Sequence, residues 1–509
     1  MAMSGTAGGE RQPEGTRTVD GARGTGPIDG APNRAPDDVP DDVLIVGAGP
    51  TGLALACDLA RRGVRARVIE RAGALFPGSR GKGVQPRTME VLEDLGVIDA
   101  VLAAGGPAPT VLNWRDGAPD GESRMFGEPE ESESVPYPMP WLLPQWRTQE
   151  ILFARLGELG GDVEFGAALD GLEQDGDGVR ALLADGRTLR ARYAVAADGG
   201  RSTVRRALGV AMTGETVDPN PIMVADVRLR PGALDRDHWH AFPPAGPGAG
   251  FLSLCPLPHL ADFQLVAQFT DGAEPEVSAE GVRKVVAARS HLDAGDVTEV
   301  RWVSDFRPRA AMAARFRSGR VFLAGDAAHV HSPAGGQGLN TSIQDAYNLG
   351  WKLGAVLRLG APAELLDSYE EERMPVAAAM LGLSTRIHRG EARRGAATRQ
   401  LDLGYRGGSS CTETRAGLAE DALHAGDRAP DGSPGGVRLF DVFRGPHWTL
   451  LAVGTDAALP DPVPGVLRVH RVPAYAPYGT GVFLVRPDGY VSSAATTSPP
   501  LPSWFPTGG

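Results

Sequence analysis

Residues 43–52 read Val-Leu-Ile-Val-Gly-Ala-Gly-Pro-Thr-Gly, and this stretch decides the fold of the chain. The four apolar residues at its start are typical of a strand that is buried on both faces of a parallel sheet. The apolar segment 53–62 predicts a helix that ends at Gly63, and residues 64–69 predict a second strand that ends at Glu70. Strand, glycine turn, helix and strand with a terminal acid together predict the βαβ unit that binds a dinucleotide.

The three glycines of this turn have separate physical roles in such a unit. Gly47 permits the tight turn, Gly49 lets a pyrophosphate approach the backbone, and Gly52 allows close packing of the helix. Glu70 lies eighteen residues beyond Gly52, about where an acid hydrogen-bonds the ribose hydroxyls of an adenosine. The motif alone does not decide between FAD and NAD.

Two later segments carry further signals. Residues 189–197 predict a strand that delivers Asp198 and Gly199, a pair that is also common in ordinary turns. Residues 319–329, Gly-Arg-Val-Phe-Leu-Ala-Gly-Asp-Ala-Ala-His, predict a strand that ends in a turn of small residues. Residues 333–340, Pro-Ala-Gly-Gly-Gln-Gly-Leu-Asn, follow it into a helix, whose bare N–H groups and positive end suit an anionic or electron-rich ligand edge.

These three motifs, in this order and at these separations, resemble those of the class A flavoprotein monooxygenases. That group includes para-hydroxybenzoate hydroxylase, phenol hydroxylase and the aromatic polyketide hydroxylases. The resemblance covers roughly residues 41–380 and is most specific over 319–352, and residues 79–90 are similar to pentachlorophenol-type and antibiotic-pathway members. It implies that the dinucleotide is FAD.

The resemblance implies which residues hold the FAD. In terms of this sequence they are Gly47, Gly49, Pro50, Thr51 and Gly52 at the pyrophosphate, Glu70 at the adenosine ribose with Arg71 beside it, Arg80 on the glycine-rich segment 78–83, Gln145 and Asp326 at the ribityl chain, Asp198 at both FAD and NAD(P)H, and Pro333, Gly335, Gly336, Gln337, Gly338, Leu339 and Asn340 around the flavin ring.

The resemblance also implies a reaction. NADPH or NADH would reduce the FAD, O2 would add to give a 4a-hydroperoxide, and the distal oxygen would pass to an aromatic substrate, in this case a polycyclic phenol of secondary metabolism. The cofactor carries the bond-making while the protein orients the substrate and excludes water, so no catalytic side chain is assigned. Two alternatives remain open: a flavin oxygenase of the same fold doing epoxidation, Baeyer–Villiger insertion or antibiotic inactivation, and a non-catalytic FAD-binding protein.

The expected fold is α/β, and α+β over the whole chain. A Rossmann-like FAD-binding domain of residues 41–210 and 311–385 is interleaved with a β-sheet substrate domain of residues 211–310. Alternating stretches in the latter predict strands with one face toward a pocket. Residues 386–424 are expected to be a linker.

The two ends of the chain are expected to differ from this core. Residues 1–40 contain hardly any aliphatic side chains and predict a disordered tail. Residues 425–509 resemble the thioredoxin-like C-terminal domain of phenol hydroxylase relatives, but they lack a Cys-x-x-Cys pair and residues 455–465 are too short and proline-rich for the usual helix. They therefore predict an abbreviated, redox-inert accessory domain.

The substrate domain also raises the question of how the substrate is activated. No tyrosine occurs in 211–310, so a tyrosine base would have to come from elsewhere, such as Tyr137 or Tyr347. We therefore expect a substrate that is already acidic or electron-rich, activated by hydrogen bonds or by a histidine. His238 and His240 are the candidates.

Composition excludes several other classes of protein. A net charge of −12 gives no overall field for nucleic acid or an anionic membrane. The three cysteines lie far apart, which argues against a disulfide framework or a metal site, and no apolar stretch reaches the ~20 residues that span a bilayer. These features predict a cytoplasmic protein with no bound metal, no nucleic-acid partner and no membrane span. The resemblance implies a small aromatic substrate, and we expect a monomer or homodimer.

Overall fold

A computed structural model of the chain describes residues 40–128, 132–244, 246 and 248–505. The predicted disordered tail lies outside the described residues except for its last residue. No helix in the described part of the chain has the length and apolar content that a membrane crossing requires.

The described chain contains twenty-six strands and ten α-helices, and several of the strands follow one another directly. The strands are β1 (Asp41–Val46), β2 (Ala66–Glu70), β3 (Gly83–Val84), β4 (Gly106–Pro107), β5 (Thr110–Arg115), β6 (Ala118–Ser123), β7 (Trp141–Leu142), β8 (Val163–Phe165), β9 (Leu169–Gln174), β10 (Val179–Leu183), β11 (Thr188–Ala196), β12 (Met212–Thr216), β13 (Ile222–Leu229), β14 (His238–Phe242), β15 (Ala249–Pro256), β16 (Asp262–Phe269), β17 (Val297–Phe306), β18 (Arg309–Ala313), β19 (Arg317–Ser318), β20 (Val321–Leu323), β21 (His329–Val330), β22 (Thr412–Glu413), β23 (Trp448–Val453), β24 (Leu467–Val472), β25 (Gly481–Val485) and β26 (Val491–Ala495). The α-helices are α1 (Pro50–Ala60), α2 (Pro86–Asp94), α3 (Ile98–Ala104), α4 (Gln145–Glu158), α5 (Thr203–Ala207), α6 (Ala279–Arg289), α7 (Gly338–Gly354), α8 (Asp367–His388), α9 (Ala396–Arg399) and α10 (Leu439–Phe443).

The first sheet carries the dinucleotide motif. Its path is β19-β20-β11-β1-β2-β8, with β9 and β10 attached to β11 as an antiparallel extension. Strand β1 is parallel to both β2 and β11, and residues 43–46 are buried because sheet neighbours lie on both sides and helices cover the faces. The carboxyl ends of β1, β2, β11 and β20 therefore meet at one edge of the sheet, which is where parallel α/β sheets place their ligands.

The second sheet has the order β17-β13-β16-β15-β14-β5-β6. The substrate-domain prediction, 211–310, contains β13 to β17 but not β5 and β6, which the sequence assigned to the FAD-binding domain. Strand β5 pairs in parallel with β14, so residues 110–123 extend this sheet. Every residue of β6 is exposed and its sequence has no strand-like alternation, so the strand exists through its pairing with β5 and not through its own propensity.

The two faces of the second sheet have different partners. On one face Met223, Ala225 and Val227 pack with Val282 and Val286 of α6. The other face points to the first unit, by which we mean the first sheet with its helices and connecting segments. Ile222, Val224 and Trp302 on this face pack with Phe76, which follows β2. Only this second face can border a site between the two units.

The C-terminal sheet has the order β22-β26-β25-β23-β24. Strands β23 and β24 are parallel, whereas β25 and β26 are antiparallel to their neighbours. The connection 454–466 contains no helix, as the sequence predicted. This sheet packs on α7, where the rings of Trp351 and Trp448 meet edge to face with centroids 5.3 Å apart.

The predicted linker begins inside a helix, since α8 runs to His388. Helix α9 follows within that segment, and its Thr398 together with Gln400 is buried against the loop before α7. Residues 386–424 are therefore more than a connection between domains, because part of the segment packs beside the candidate site.

Candidate active site

The loop between β1 and α1 is shaped by its glycines. Gly47 has a φ of +108°, and a Cβ there would collide with the carbonyl group of Ala197. A Cβ on Gly52 would collide with the carbonyl of Gly47, whereas a Cβ on Gly49 would meet nothing within 4 Å. The fold itself therefore requires Gly47 and Gly52, while Gly49 borders open space in which a ligand can approach the backbone.

The N-terminus of α1 faces that open space. Its N-cap residue, Gly49, supplies no side-chain hydrogen bond, Pro50 is the first helical residue, and no acid occurs in the first turn. The partial positive charge of the helix end is therefore not neutralised by the helix's own side chains. Thr51 and Gly52 belong to this uncapped turn, whose geometry suits a pyrophosphate.

Glu70 lies beside this loop at the end of β2. Its Oε2 accepts a hydrogen bond from the Ala48 N–H at 2.9 Å, and its Oε1 accepts one from the Ala72 N–H at 2.9 Å. The carboxylate is thereby fixed next to the glycine turn, with lone pairs left for hydroxyl donors. Arg71 follows on the surface and is exposed.

Asp198 follows β11, the neighbour of β1. Its Oδ2 accepts hydrogen bonds from the N–H groups of Thr203 at 2.7 Å and Val204 at 3.3 Å. Its Oδ1 is buried and has no hydrogen-bond partner among the described residues, and burial raises the pKa of the carboxyl group. A buried acceptor without a donor is the expected state of a group that completes its hydrogen bonds with a ligand.

Gly325 and Asp326 follow β20 on the other side of β11. Gly325 has a φ of +60°, and a Cβ there would lie 2.6 Å from Oγ1 of Thr51 and 3.0 Å from Cβ of Ser342. The turn is therefore wedged between the ends of α1 and α7. The Asp326 side chain is exposed to solvent, yet desolvation by neighbouring atoms raises its pKa against the charges of His329 and Arg80, so it borders a solvent-accessible space among packed segments.

Arg80 faces the same space from a neighbouring segment. Burial lowers the pKa of its guanidinium, and the negative charge of Asp326 opposes that shift. The Gly81 N–H donates to Oε1 of Gln145 at 3.2 Å, and the Gln145 N–H donates to the Gly81 carbonyl at 2.9 Å. Leu339 lies next to Gly81 as well. The structure thus brings together Arg80, Gln145, Asp326 and Leu339, which are distant in sequence.

The loop from Pro333 to Asn340 is held by its own amide side chains. Gln337 donates from Nε2 to the Gly335 carbonyl at 2.8 Å and accepts from Gln400 at 2.7 Å. Asn340 donates from Nδ2 to the Gly336 carbonyl at 2.8 Å, donates to the Gly83 carbonyl at 2.9 Å, and accepts from the Gln85 N–H at 2.8 Å. The backbone of the loop is therefore held by hydrogen bonds from the chain itself, without a ligand.

Helix α7 starts at Gly338 within this loop. Its N-cap, Gln337, makes no side-chain capping bond, and its first turn has no acid. Gly336 has a φ of +64°, which a residue with a side chain rarely adopts. The loop therefore presents a second uncapped helix end, suited to an electron-rich ligand edge.

Behind the loop lies a buried ionic network that sequence analysis did not assign. Asp345 accepts from the Gly325 N–H at 3.1 Å and from Nε of Arg373 at 2.8 Å, and its Oδ2 lies 2.6 Å from Nε2 of His329. Burial alone would raise the pKa of Asp345, but His329 and Arg373 lower it. His329 belongs to the 319–329 motif, so its presence was visible, but its partners come from α7 and α8.

The second sheet reaches this loop at one end. Gln268 donates from Nε2 to Oδ2 of Asp218 at 2.9 Å. His388 lies 3.2 Å from the same oxygen and 3.1 Å from Oγ of Ser332. Since Ser332 precedes Pro333, this chain of contacts ties the sheet face that carries Gln268 to the start of the loop.

The other end of the same face is tied to the segment that contains Arg80. Asp226 accepts from the Ser79 N–H at 3.0 Å, and Gln264 contacts the Ser79 carbonyl and the Lys82 ammonium. Gln264 and Gln268 are thus on the face that borders the site. Trp239 is on it too, with its ring centroid 4.1 Å from Nζ of Lys82.

The histidines expected to activate the substrate lie elsewhere. His240 is fully buried and accepts from Nε1 of Trp114 at 3.1 Å, on the face that packs with Phe242. His238 lies two residues before His240 on β14, so it points to the same face, and its Nδ1 lies 2.9 Å from Oδ1 of Asp235. The expectation that these two histidines serve the site is therefore wrong, because alternation along the strand places both of them on the other face.

Tyr137 and Tyr347, the two tyrosines considered as alternative bases, are hydrogen-bonded to acids away from the site. Tyr137 donates to Oε2 of Glu93 at 2.9 Å, and Tyr347 donates to Oδ2 of Asp94 at 2.7 Å. Both acids belong to α2, next to the C-terminal unit. Neither of these two tyrosines therefore joins the residues that surround the Pro333 loop.

Comparison with known proteins relates this arrangement to one family. A family model described as FAD binding domain matches residues 41–384. A flavin-dependent monooxygenase of Mycobacteroides abscessus is 47% identical over 461 residues, which cover 88% of this chain and 96% of that protein. The 12-dehydrotetracycline 5-monooxygenase/anhydrotetracycline 6-monooxygenase of Streptomyces rimosus is 35% identical over 88% of this chain and 94% of its own length.

A solved structure shows the same fold over most of the chain. The ternary complex of aklavinone-11 hydroxylase with FAD and aklavinone superposes with a TM-score of 0.75 at 29% identity. The match covers 90% of this chain and 96% of that one. A share of 90% is more of the chain than residues 1–384 make up. The match therefore also covers residues beyond 384, where the family model ends.

Proposed function

This chain belongs to the FAD binding domain family of flavin-dependent monooxygenases, and from that membership we propose that it hydroxylates a polycyclic phenol. It is an FAD-dependent monooxygenase that consumes O2 and a nicotinamide reductant. The resemblance that its motifs indicated is therefore correct. The proposal concerns the substrate and the residues that hold cofactor and substrate.

The residues around the sheet edge fit FAD. In this proposal Gly47 to Gly52 hold the pyrophosphate, Glu70 holds the adenosine ribose, Asp326 holds the ribityl chain, and 333–340 border the flavin ring. Support comes from the uncapped ends of α1 and α7 and from the unpartnered Oδ1 of Asp198. When bound, FAD takes electrons from NAD(P)H and supplies activated oxygen for transfer to the substrate.

One observation carries the substrate proposal: the aromatic and amide face of the second sheet is tied at both ends to segments that adjoin the Pro333 loop. Trp239 and Gln264 on this face are tied through Lys82 and Ser79 to the segment of Arg80, and Gln268 is tied through Asp218 and His388 to Ser332. A flat conjugated molecule between loop and sheet would stack on an indole and receive hydrogen bonds from amides. The relatives named for tetracycline precursors and aklavinone favour the same substrate class.

Four narrower properties are also part of the proposal. We expect a monomer or homodimer, either NADPH or NADH as reductant, and no nucleic-acid partner. A cytoplasmic location is supported by the free thiols of Cys57, Cys255 and Cys411. Sedimentation velocity and parallel assays with the two nicotinamides test the first two.

The decisive experiment uses the FAD-loaded protein, NADPH, 18O2 and a panel of tricyclic and tetracyclic phenols. We expect consumption of NADPH to rise with a substrate and one labelled oxygen atom to appear in the product. Product mass and position separate hydroxylation from epoxidation and Baeyer–Villiger insertion. If single-ring phenols were turned over and no polycycle stimulated NADPH oxidation, the proposed substrate class would be wrong.

A further inference from the structure

Lys82 differs from the other lysines of this chain. Only three are present. Lys284 is exposed and paired with two glutamates, and Lys352 is buried and paired with Glu372 at 2.8 Å. Lys82 is partly buried, and within the described residues no carboxylate lies within ion-pair distance of it.

The contacts of Lys82 hold the ammonium without neutralising it. Its backbone is fixed because its carbonyl accepts from the Leu143 N–H at 2.7 Å. The ammonium donates to the neutral Gln264 side chain and lies 4.1 Å from the ring centroid of Trp239. An amide and an aromatic face stabilise a cation less than a carboxylate does. These contacts therefore leave the positive charge of the protonated side chain without a counter-charge at the face that borders the site.

Asp226, an acid whose charge acts on Lys82, compensates this charge poorly. Asp226 is buried, and burial raises its pKa to about 7 although Ser79 hydrogen-bonds it. It is therefore only partly ionised at neutral pH. Burial lowers the pKa of Lys82, Arg394 lowers it further, and Cys255 and Asp226 oppose the shift.

Arg394 brings a second unpaired cation to the same place. It lies in the segment that sequence analysis took for a linker, donates from Nη2 to the Ala334 carbonyl of the Pro333 loop, and lies 5.9 Å from the ring of Phe126. It too forms no ion pair within the part of the chain that the structure describes. Its charge acts on Lys82. Two half-buried cations therefore lie beside the Pro333 loop, because Arg394 contacts Ala334 and Lys82 follows Gly81, whose backbone lies near Leu339.

We propose that Lys82 and Arg394 bind an ionised oxygen of the substrate, so that the enzyme selects acidic phenols or enols and holds them as anions. Charges removed from water require a partner of opposite sign, and the substrate anion supplies it in this site. An electron-rich phenolate also matches a reaction that transfers oxygen to an electron-rich carbon. The inference rests on the proposed function and adds what recognises the substrate.

The test measures binding and needs no turnover. The FAD-loaded protein is titrated with 4-nitrophenol, whose ionised form is coloured, and with 4-nitroanisole, which cannot ionise. We expect the wild type to prefer the phenol and to keep it ionised below the pH at which the free dye loses its colour. Lys82→Met and Arg394→Met should each weaken phenolate binding about 10-fold or more, the size expected for a lost charged hydrogen bond, and change nitroanisole binding little.

Matched controls separate this role from others. Lys284→Met and Arg393→Met make the same substitutions at exposed positions and should leave both affinities unchanged. Lys82→Arg keeps the charge and should retain most of the preference, which also covers the case in which Lys82→Met folds poorly. The FAD dissociation constant of every variant is measured in parallel.

Several results would overturn the inference. The first is a wild type that binds both probes equally or binds neither. The second is a Lys82→Met variant whose preference for the phenolate is unchanged. The third is a Lys82→Met variant that loses only FAD affinity, which would assign Lys82 to the cofactor. A wild type that turns over polycycles but ignores the charge of the probe contradicts this inference alone. A wild type that prefers the phenolate through Lys82 but turns over no polycycle contradicts the proposed function alone.

Discussion

Nη1 of Arg486 lies 2.6 Å from Oε1 of Glu372, and this ion pair joins the turn after β25 to helix α8 with both side chains shielded from solvent. Lys352 donates to the same carboxylate at 2.8 Å, and Asp488 contacts Arg486 in turn. Removing one member of a buried ionic cluster leaves the others charged and unpaired. The C-terminal unit is thus attached to the helices of the first unit by charge as well as by packing.

Glu372→Gln should therefore be strongly destabilising. We expect the free energy of unfolding to fall by about 3–5 kcal/mol, as for other buried pairs that lose one partner. Urea titration of the FAD-loaded protein measures it. Glu150→Gln, at an exposed pair with Arg147, is the matched control and should have no measurable effect. A similar loss in both variants would show that the buried cluster contributes no more than a surface pair.

The same carboxylate predicts how stability depends on pH. Burial by itself would raise the pKa of Glu372, but Arg486 and Lys352 hold it at about 2, below the ~4.3 of an unfolded glutamate. Because the folded pKa is the lower one, the stabilisation is complete above the unfolded value and is lost as the pH falls toward 2. Unfolding free energies at pH 7, 5 and 3 should decline more steeply in the wild type than in Glu372→Gln. Parallel curves would contradict this assignment.

Gly49 and Gly52 should respond differently to alanine. A Cβ on Gly52 collides with the Gly47 carbonyl, so Gly52→Ala should cost about 1–3 kcal/mol of stability even without FAD. Gly49 has extended backbone angles that alanine adopts and no neighbour near its Cβ position. Gly49→Ala should leave the apoprotein stable but raise the FAD dissociation constant by ~10-fold or more, because the ligand loses its approach to the backbone. Equal effects on both properties would argue against the separate roles.

The pH profile of hydroxylation should not depend on His238 or Tyr137, although the sequence made both of them candidates for the general base. His238 is hydrogen-bonded to Asp235 on the far face of β14, and Tyr137 is hydrogen-bonded to Glu93. A general base must reach the proton that it removes. His238→Ala and Tyr137→Phe should therefore retain the wild-type profile, measured as kcat/KM against pH. The loss of a titrating limb in either variant would return that residue to the mechanism.

The predictable part of the fold consists of segments whose pattern is local. Residues 43–52 contain the strand, the turn and the helix start in one run, so the βαβ unit followed from them. The family followed once the Asp198 motif and residues 319–340 were added, and it is confirmed. Strand β6 could not be predicted because apolar and polar residues do not alternate in Ala118–Ser123. It is a strand because it pairs with β5. The FAD contacts of the individual residues remain predictions.

The position of the site residues depends on more than the local pattern. Alternation along β14 fixes that His238 and His240 share a face and that Trp239 lies on the other. It does not fix which face borders the cofactor, because that depends on how the sheet docks on the first unit. Arg394 was not identified for a similar reason: its segment has no periodic pattern, and its position follows from the path of the chain after α8.

The second sheet takes β5 and β6 from residues 110–123 and its other strands from residues 222–306. The segments of the gene that encode this sheet are therefore not contiguous. A chimera that exchanges only 211–310 between relatives would pair five foreign strands with two native ones across the β5–β14 seam. Exchange of substrate recognition in this fold requires two inserts, and recombination sites are best placed on both sides of residues 110–123 as well as outside residues 211–310.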